Sequence, residues 1–181
     1  MYRMLGRVFL LVLFAGILVT AHDAMGQTNP RIVKEVRHEL VTLPYYGVFD
    51  WLEYEVQNNG TVILRGQVVR PTTKSDAEGR VKDIDGVSGV MNQIEVLPVS
   101  PSDDRARRAL YRAIYNSNSP LFRYATQSVP PIHLIVKRGH AILKGVVANR
   151  GDAQQAYIRA RGVPGLFSVK SELIVEGEQA R

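Results

Sequence analysis

The chain has 181 residues, 23 Lys and Arg against 17 Asp and Glu, a net charge of +6 and no cysteine. That length admits one ordinary domain or two very small ones. The missing cysteine excludes disulfide staples, thiolate catalysis, thiolate metal sites and anchorage through a lipidated cysteine.

In chain order, Arg3 and Arg7 precede the apolar run Val8–Val19, and small residues follow. Charge, apolar core and cleavage region stand in secretory order, and the run is shorter than the roughly 20 residues a membrane span needs. Residues 1–26 are therefore read as a signal peptide. Ala24 and Gly26 fit the small −3 and −1 positions for a mature start at Gln27, with Val19 and Ala21 offering a second site. The expected product is a periplasmic protein that is not a lipoprotein.

Asn29-Pro30 caps a first helix on which Ile32, Val36 and Leu40 recur at helical spacing, ending near Val41. Leu52, Tyr54 and Val56 alternate with polar partners as a strand, Asn58-Asn59-Gly60 turns it, and Thr61–Val69 returns. A second helix over Thr73–Ile84 carries Ala77 and Val81, Gly86 ends it, and Val90, Asn92, Ile94 and Val96 line a closing strand. The proline-stiffened stretch Leu97–Pro101 follows. The same order then recurs: a helix capped by Ser102, Asp103 and Asp104, strands Ile132–Lys137 and His140–Ala148, a helix over Asp152–Val163 and a strand over Val169–Glu176.

This recurrence is a duplication. Residues 59–97 and 138–176 align without a gap at an offset of 79, and Gly60/Gly139, Leu64/Leu143, Gly66/Gly145, Ala77/Ala156, Gly86/Gly165 and Val96/Val175 are among the identical pairs. The retained residues serve turns and packing, which points to a binding or scaffold module. The resulting fold class is α+β: two tandem αββαβ modules, each a three-stranded sheet with two helices on one face. The first module spans 29–98, a linker 99–102, the second module 103–177 and a tail 178–181. Gly66 and Gly145 lie mid-strand, where glycine implies that another backbone crosses closely, a helix being the expected neighbour.

The run Gly60-Thr-Val-Ile-Leu-Arg-Gly66-Gln-Val68, then Ala77, Gly86-Val87 and Val90-x-Asn92-x-Ile94-x-Val96, resembles the signature of the BON (bacterial OsmY and nodulation) domain. Gly139–Val147, Ala156, Gly165-Leu166 and Val169-x-Ser171-x-Leu173-x-Val175 resemble a second one, with serine in place of asparagine. A signal peptide before tandem modules is similar to the osmotically inducible periplasmic proteins. The resemblance implies association with phospholipid or envelope surfaces, a part in envelope integrity under osmotic stress, and no enzymatic activity.

Charge divides the copies. Residues 27–98 hold 8 Lys and Arg against 10 Asp and Glu, a net of −2; residues 99–181 hold 13 against 6, a net of +7. A basic exported module is expected to meet anionic lipid or an acidic envelope polymer rather than nucleic acid. The candidate lipid-binding residues are Arg105, Arg108 and Arg112 on one helix side, Tyr111 near them, and Phe122, Arg123 and Tyr124 in the five-residue insertion of the second copy. The plain reading of the insertion is that it folds back over the small core. Tyr45, Tyr46, Phe49 and Trp51 are candidates for an interdomain or partner contact. So are Ile132, Leu134 and Val136, aligned with Glu53, Glu55 and Gln57, because an apolar strand face in one copy only implies a covering domain or second protomer.

His133 and His140 have no carboxylate close in sequence, so neither a metal nor a cofactor is expected, and no catalytic motif is present. The leading expectation is a periplasmic protein that associates peripherally with anionic phospholipid through its second module. The alternative is an envelope protein–protein adaptor that ignores lipid.

Overall fold

The computed structural model describes residues 29–177; the signal-peptide and tail readings lie outside them. Helix α1 (Pro30–Val41) starts on the Asn29 side chain, which accepts the Arg31 N–H, and buries Ile32, Val36 and Leu40. Strands β1 (Trp51–Val56) and β2 (Thr61–Val68) form an antiparallel hairpin. Helix α2 (Pro71–Lys82) then crosses back so that β3 (Gly89–Asn92) and β4 (Glu95–Val96) both lie parallel to β2. The closing strand expected in one piece is thus interrupted. Asn92 is the cause: its side chain reaches the Lys74 carbonyl at 3.0 Å and takes the Ile94 N–H at 3.1 Å, pulling the chain out of the ladder.

The second unit repeats the plan with α3 (Pro101–Tyr115), a short 3-10 helix (Pro120–Thr126), antiparallel β5 (Ile132–Lys137) and β6 (His140–Val147), α4 (Arg150–Arg161) and β7 (Ser168–Val175) parallel to β6. In both units each residue of the central strand faces the one 28 positions later, as Leu64 faces Asn92 and Leu143 faces Ser171. The duplication therefore preserves register as well as sequence. Helix boundaries move slightly from the sequence reading. Prolines 71 and 101 open α2 and α3, and Ser100, not residues 102–104, caps α3 by accepting the Asp103 N–H.

Two cores result. Val36, Leu64, Val68, Ala77 and Val81 are fully buried in the first, and Leu110, Ile114, Leu121, Leu134, Leu143 and Ala156 in the second. Each sheet packs its helices on one face, and each helix approaches the sheet through small residues such as Ala77 and Ala156.

The mid-strand glycines have a different neighbour from the expected helix. Gly66 (φ +122°) sits beside the Trp51 carbonyl, which a Cβ would meet at 2.0 Å, and Gly145 (φ +118°) sits against the Pro131 carbonyl, at 1.8 Å. The close backbone is the start of the neighbouring strand. Glycine is required by a positive φ and by the adjacent carbonyl at the same time.

The alignment of Ile132, Leu134 and Val136 with Glu53, Glu55 and Gln57 is corrected by one residue. The first hairpin turns through residues 58–60, whereas the second turns through Arg138 (φ +51°) and Gly139 (φ +78°) alone. One residue fewer in the turn reverses the alternation upstream of it. Ile132 therefore matches Leu52, because both face the mid-strand glycine, and Leu134 matches Tyr54. Ile132, Leu134 and Val136 lie in the second unit's own core and are not interface side chains.

Gly145→Ala is expected to destabilise the chain by about 3 kcal/mol or more, since the methyl group meets a carbonyl at an unfavourable φ. Gly79→Ala on α2, where nothing lies within 4 Å of the added carbon, should gain about 0.5–1 kcal/mol. Urea unfolding of both variants checks the contrast.

Candidate functional site

With the register settled, the residues on the helix-free face of the second sheet are His133, Ile135 and Lys137 on β5 and Ile142 and Lys144 on β6. His133 and Ile135 are buried, 6% and 2% exposed, and the first unit covers them. The rings of Tyr46 and Trp51 lie 5.5 and 5.1 Å from the His133 ring. Burial pushes the His133 imidazole below its ordinary value, while the Asp50 and Gly47 backbone acts the other way. Burial likewise pushes the Tyr46 hydroxyl up, the Leu52 amide pulling in the opposite direction.

Lys144 forms the charged centre of this contact. Its amine bonds Glu53 of the first unit at 3.0 Å and Glu172 of its own sheet at 3.1 Å, and it sits 5.6 Å from the Trp51 ring centroid. Burial opposes the ammonium, yet the bonds to the two carboxylates hold its pKa above the ordinary value. Lys137 reaches Glu95 of the first unit at 2.5 Å. The acidic copy and the basic copy thus meet through complementary charges.

Four outward backbone groups on the free edge of β5 have partners. The Tyr115 hydroxyl donates to the Ile132 carbonyl at 2.7 Å and accepts the Ile132 N–H at 3.2 Å. The Leu134 N–H donates to the Val48 carbonyl of the first unit at 2.8 Å. The Arg107 guanidinium donates to the Val136 carbonyl at 2.6 Å and also to Asp104. Asp103, 2% exposed, accepts the Arg138 and Gly139 N–H groups at 2.8 Å each and ties α3 to the hairpin turn. In the first unit Asp50 acts similarly, accepting the Gly47 and Val69 N–H groups at 3.0 and 2.7 Å.

Arg105, Arg108 and Arg112 project from the opposite side of α3 and are exposed. Among the described residues their side chains have no hydrogen-bond or ion-pair partner. With Ser102, Pro164 and Gly165 they line one shallow depression. Just past Gly165 stands Phe167, 82% exposed, its ring 5.8 Å from His140.

The other expected residues separate. Tyr111 is half exposed and stacks between Phe49, at 6.4 Å, and Tyr115, at 5.1 Å. In the inserted 3-10 helix Leu121 and Tyr124 turn inward, 0% and 8% exposed, while Phe122 remains 45% exposed. The Tyr124 hydroxyl donates to Asp152 at 2.6 Å and accepts the Ala148 N–H, and Arg123 pairs with the same Asp152. Tyr124 is therefore a core-closing residue and has no free face for a ligand. Tyr46, Phe49 and Trp51 lie between the units, whereas Tyr45 is exposed beneath the Arg70 guanidinium.

Lys144 and Phe167 were missed by the sequence reading, Asp103 was read only as a helix cap, and the inward roles of Arg107 and Tyr115 were not foreseen. For Arg107 a signal exists: it shares a stripe with Leu110 and Ile114, three and seven residues on, so it faces inward while Arg105, Arg108 and Arg112 do not. Among the described residues no group of three His, Asp or Glu side chains is placed to hold a metal ion, and no helix is long and apolar enough to cross a membrane.

Comparison with known proteins gives a family match for each unit. The BON domain model matches residues 31–98 and again 102–177. Two solved structures of CdsD, a structural protein of the type III secretion system of Chlamydia trachomatis, are similar at 14% identity. They cover 80% and 81% of this chain and 92% and 98% of their own, with TM-scores of 0.32 and 0.30; the second is the C-terminal domain. No curated protein sequence matches the chain.

The buried imidazole makes stability pH-dependent. Its folded pKa lies below 6.5, so as pH falls the unfolded chain takes up the proton first. Stability that is full above pH 6.5 is then lost as pH falls from there towards the folded value, and levels off below it. Urea midpoints of the wild type and His133→Phe between pH 8 and pH 5 should show this loss in the wild type alone; Asp50, whose pKa burial raises, is common to both proteins.

Proposed function

Because the chain belongs to the BON-domain family, whose members are periplasmic or envelope-associated and in general non-catalytic, we propose that it is a non-enzymatic peripheral protein of the envelope that docks on anionic phospholipid through its second domain. In this role it supports envelope integrity under osmotic stress. The observation that carries the reading is the partnerless guanidinium triple Arg105, Arg108 and Arg112 beside the protruding Phe167.

The physical logic rests on contrast. Lys137 and Lys144 are engaged by Glu95, Glu53 and Glu172, and Arg107 and Arg123 are held by Asp104 and Asp152. Three exposed guanidiniums without a hydrogen-bond or ion-pair partner among the described residues stand together on the outer side of α3. Three guanidiniums near an anionic membrane contribute about 1 kcal/mol each. Phe167, at the turn that lines the same depression, supplies an apolar group able to enter the headgroup region. At the matching position of the first domain stands Ser88, so the apolar tip, like the basic helix, belongs to the second copy alone. Exposed Phe122 is a second apolar contact, and Arg123, already committed to Asp152, is secondary.

The test is co-sedimentation of residues 27–181 with vesicles of neutral lipid and with vesicles containing anionic lipid, at low and high salt. Binding is expected only to anionic vesicles and should weaken with salt. Replacing Arg105, Arg108 and Arg112 together by alanine should weaken it at least about 100-fold, as roughly 3 kcal/mol requires. Phe167→Ser should weaken it about tenfold while leaving the salt dependence in place. Equal binding to neutral vesicles, or an unaffected triple variant, contradicts the reading.

A further inference from the structure

The edge of β1 is the counterpart of the β5 edge, on which four backbone groups are engaged. The Gln57 N–H donates to the Thr61 carbonyl at 2.8 Å, so residues 57, 55, 53 and 51 turn their backbone groups towards β2. Leu52, Tyr54 and Val56 therefore present theirs on the free side. These positions match Ile132, Leu134 and Val136, which Tyr115, Val48 and Arg107 engage. On β1 the Leu52 amide meets the Tyr46 hydroxyl. Among the described residues the Tyr54 N–H and C=O have no partner, nor do those of Val56.

This edge does not face open solvent. It borders a cleft of about 550 Å³ between the domains, walled by Val41, Trp51 and Tyr54 on one side and by Val129, His133 and Val146 on the other, with Arg37 in the wall as a cation. Val41 and Val146 are 52% and 46% exposed, large values for apolar side chains facing one groove. The cleft is continuous with the interdomain contact, since Trp51 and His133 belong to both.

We infer that the β1 edge and this cleft receive an extended peptide of a partner protein, apolar and carrying an acidic side chain for Arg37, which adds to the first sheet as a further strand. The molecule already contains one backbone bond of this kind, the Val48 carbonyl accepting the N–H of Leu134, the residue matching Tyr54. An acyl chain would fill the groove yet leave the Tyr54 groups unpaired. A second copy pairing antiparallel through β1 about Tyr54 would set Glu53 against Glu55, a like-charge pair that is destabilising in a ladder. Elsewhere the edges are less suited: the depression beside β7 is lined by Lys170, Ser171, Arg150 and Gln154, and β3 and β4 are interrupted. This site is separate from the basic face of α3, so either reading stands if the other fails.

The probe is a synthetic peptide copying residues 45–51, which includes Val48 and the acidic Asp50, titrated onto residues 27–181. Expected are saturable binding and exchange of the Tyr54 amide at least about tenfold slower on binding. Val146→Lys, at an exposed position, should weaken affinity at least about tenfold, and so should N-methylation of the peptide at Val48. Arg37→Glu should weaken it as well. Absence of binding, binding that leaves Tyr54 exchange unchanged, or indifference to both Val146→Lys and N-methylation would overturn the inference. Protection moved to Leu134 would do so too, because it would mean that the peptide had displaced the internal segment instead.

Discussion

The satisfaction of outward-facing backbone groups on the two hairpin edges governs how this molecule is built. A sheet of three strands has two edges for one interior, and an edge strand exposes a row of donors and acceptors that must be paired, wetted or blocked. On β5 a tyrosine takes both outward groups of Ile132, an arginine the Val136 carbonyl, and a carbonyl of the other domain the Leu134 N–H. The last of these makes the second domain's edge depend on the first domain's loop. The Lys144 and Lys137 ion pairs and the Tyr46–His133–Trp51 rings then fix the same arrangement from the sheet face. Each domain is near the lower size limit for independent folding, and the contact between them adds burial that neither core supplies alone.

Much of this architecture was legible in the sequence because the duplication acts as its own control. The glycine pairs retained at a constant offset coincide with matching backbone geometry, as φ of +122° at Gly66 and +118° at Gly145 show. The helix stripes of Ile32, Val36 and Leu40 and of Leu110 and Ile114 are buried as their spacing requires. What misled the reading was the assumption that the gap-free offset extends through the hairpin turn. One residue is missing there, and period-two structure converts a single deletion into an exchange of faces. The residues of the second sheet that the first unit covers are His133 and Ile135.

The site was less legible because its decisive features are polar groups turned inward. Asp103, Arg107 and Asp152 read as surface residues by type, and nothing in local polarity announces that groups elsewhere in the chain require them. Helical phase would have placed Arg107. No sequence rule places the Tyr124–Asp152 contact, which spans 28 positions and depends on the inserted 3-10 helix folding back.

Divergence between the copies gives the duplication its purpose. The contact between the copies joins unlike charges: the first presents Glu53 and Glu95, and the second meets them with Lys144, matched by Arg65 in the first copy, and Lys137. Those lysines neutralise the first copy's carboxylates, while Arg105, Arg108 and Arg112 stand exposed on α3 without an ion-pair partner among the described residues. The edges diverged in the same sense. The second copy uses an arginine and a tyrosine on the β5 edge, while the first keeps glutamates on β1 and leaves the Tyr54 backbone groups without a partner among the described residues, beside the interdomain cleft. The two ion pairs across the contact thus accompany two different outward surfaces, a basic helix on the second domain and a strand edge on the first.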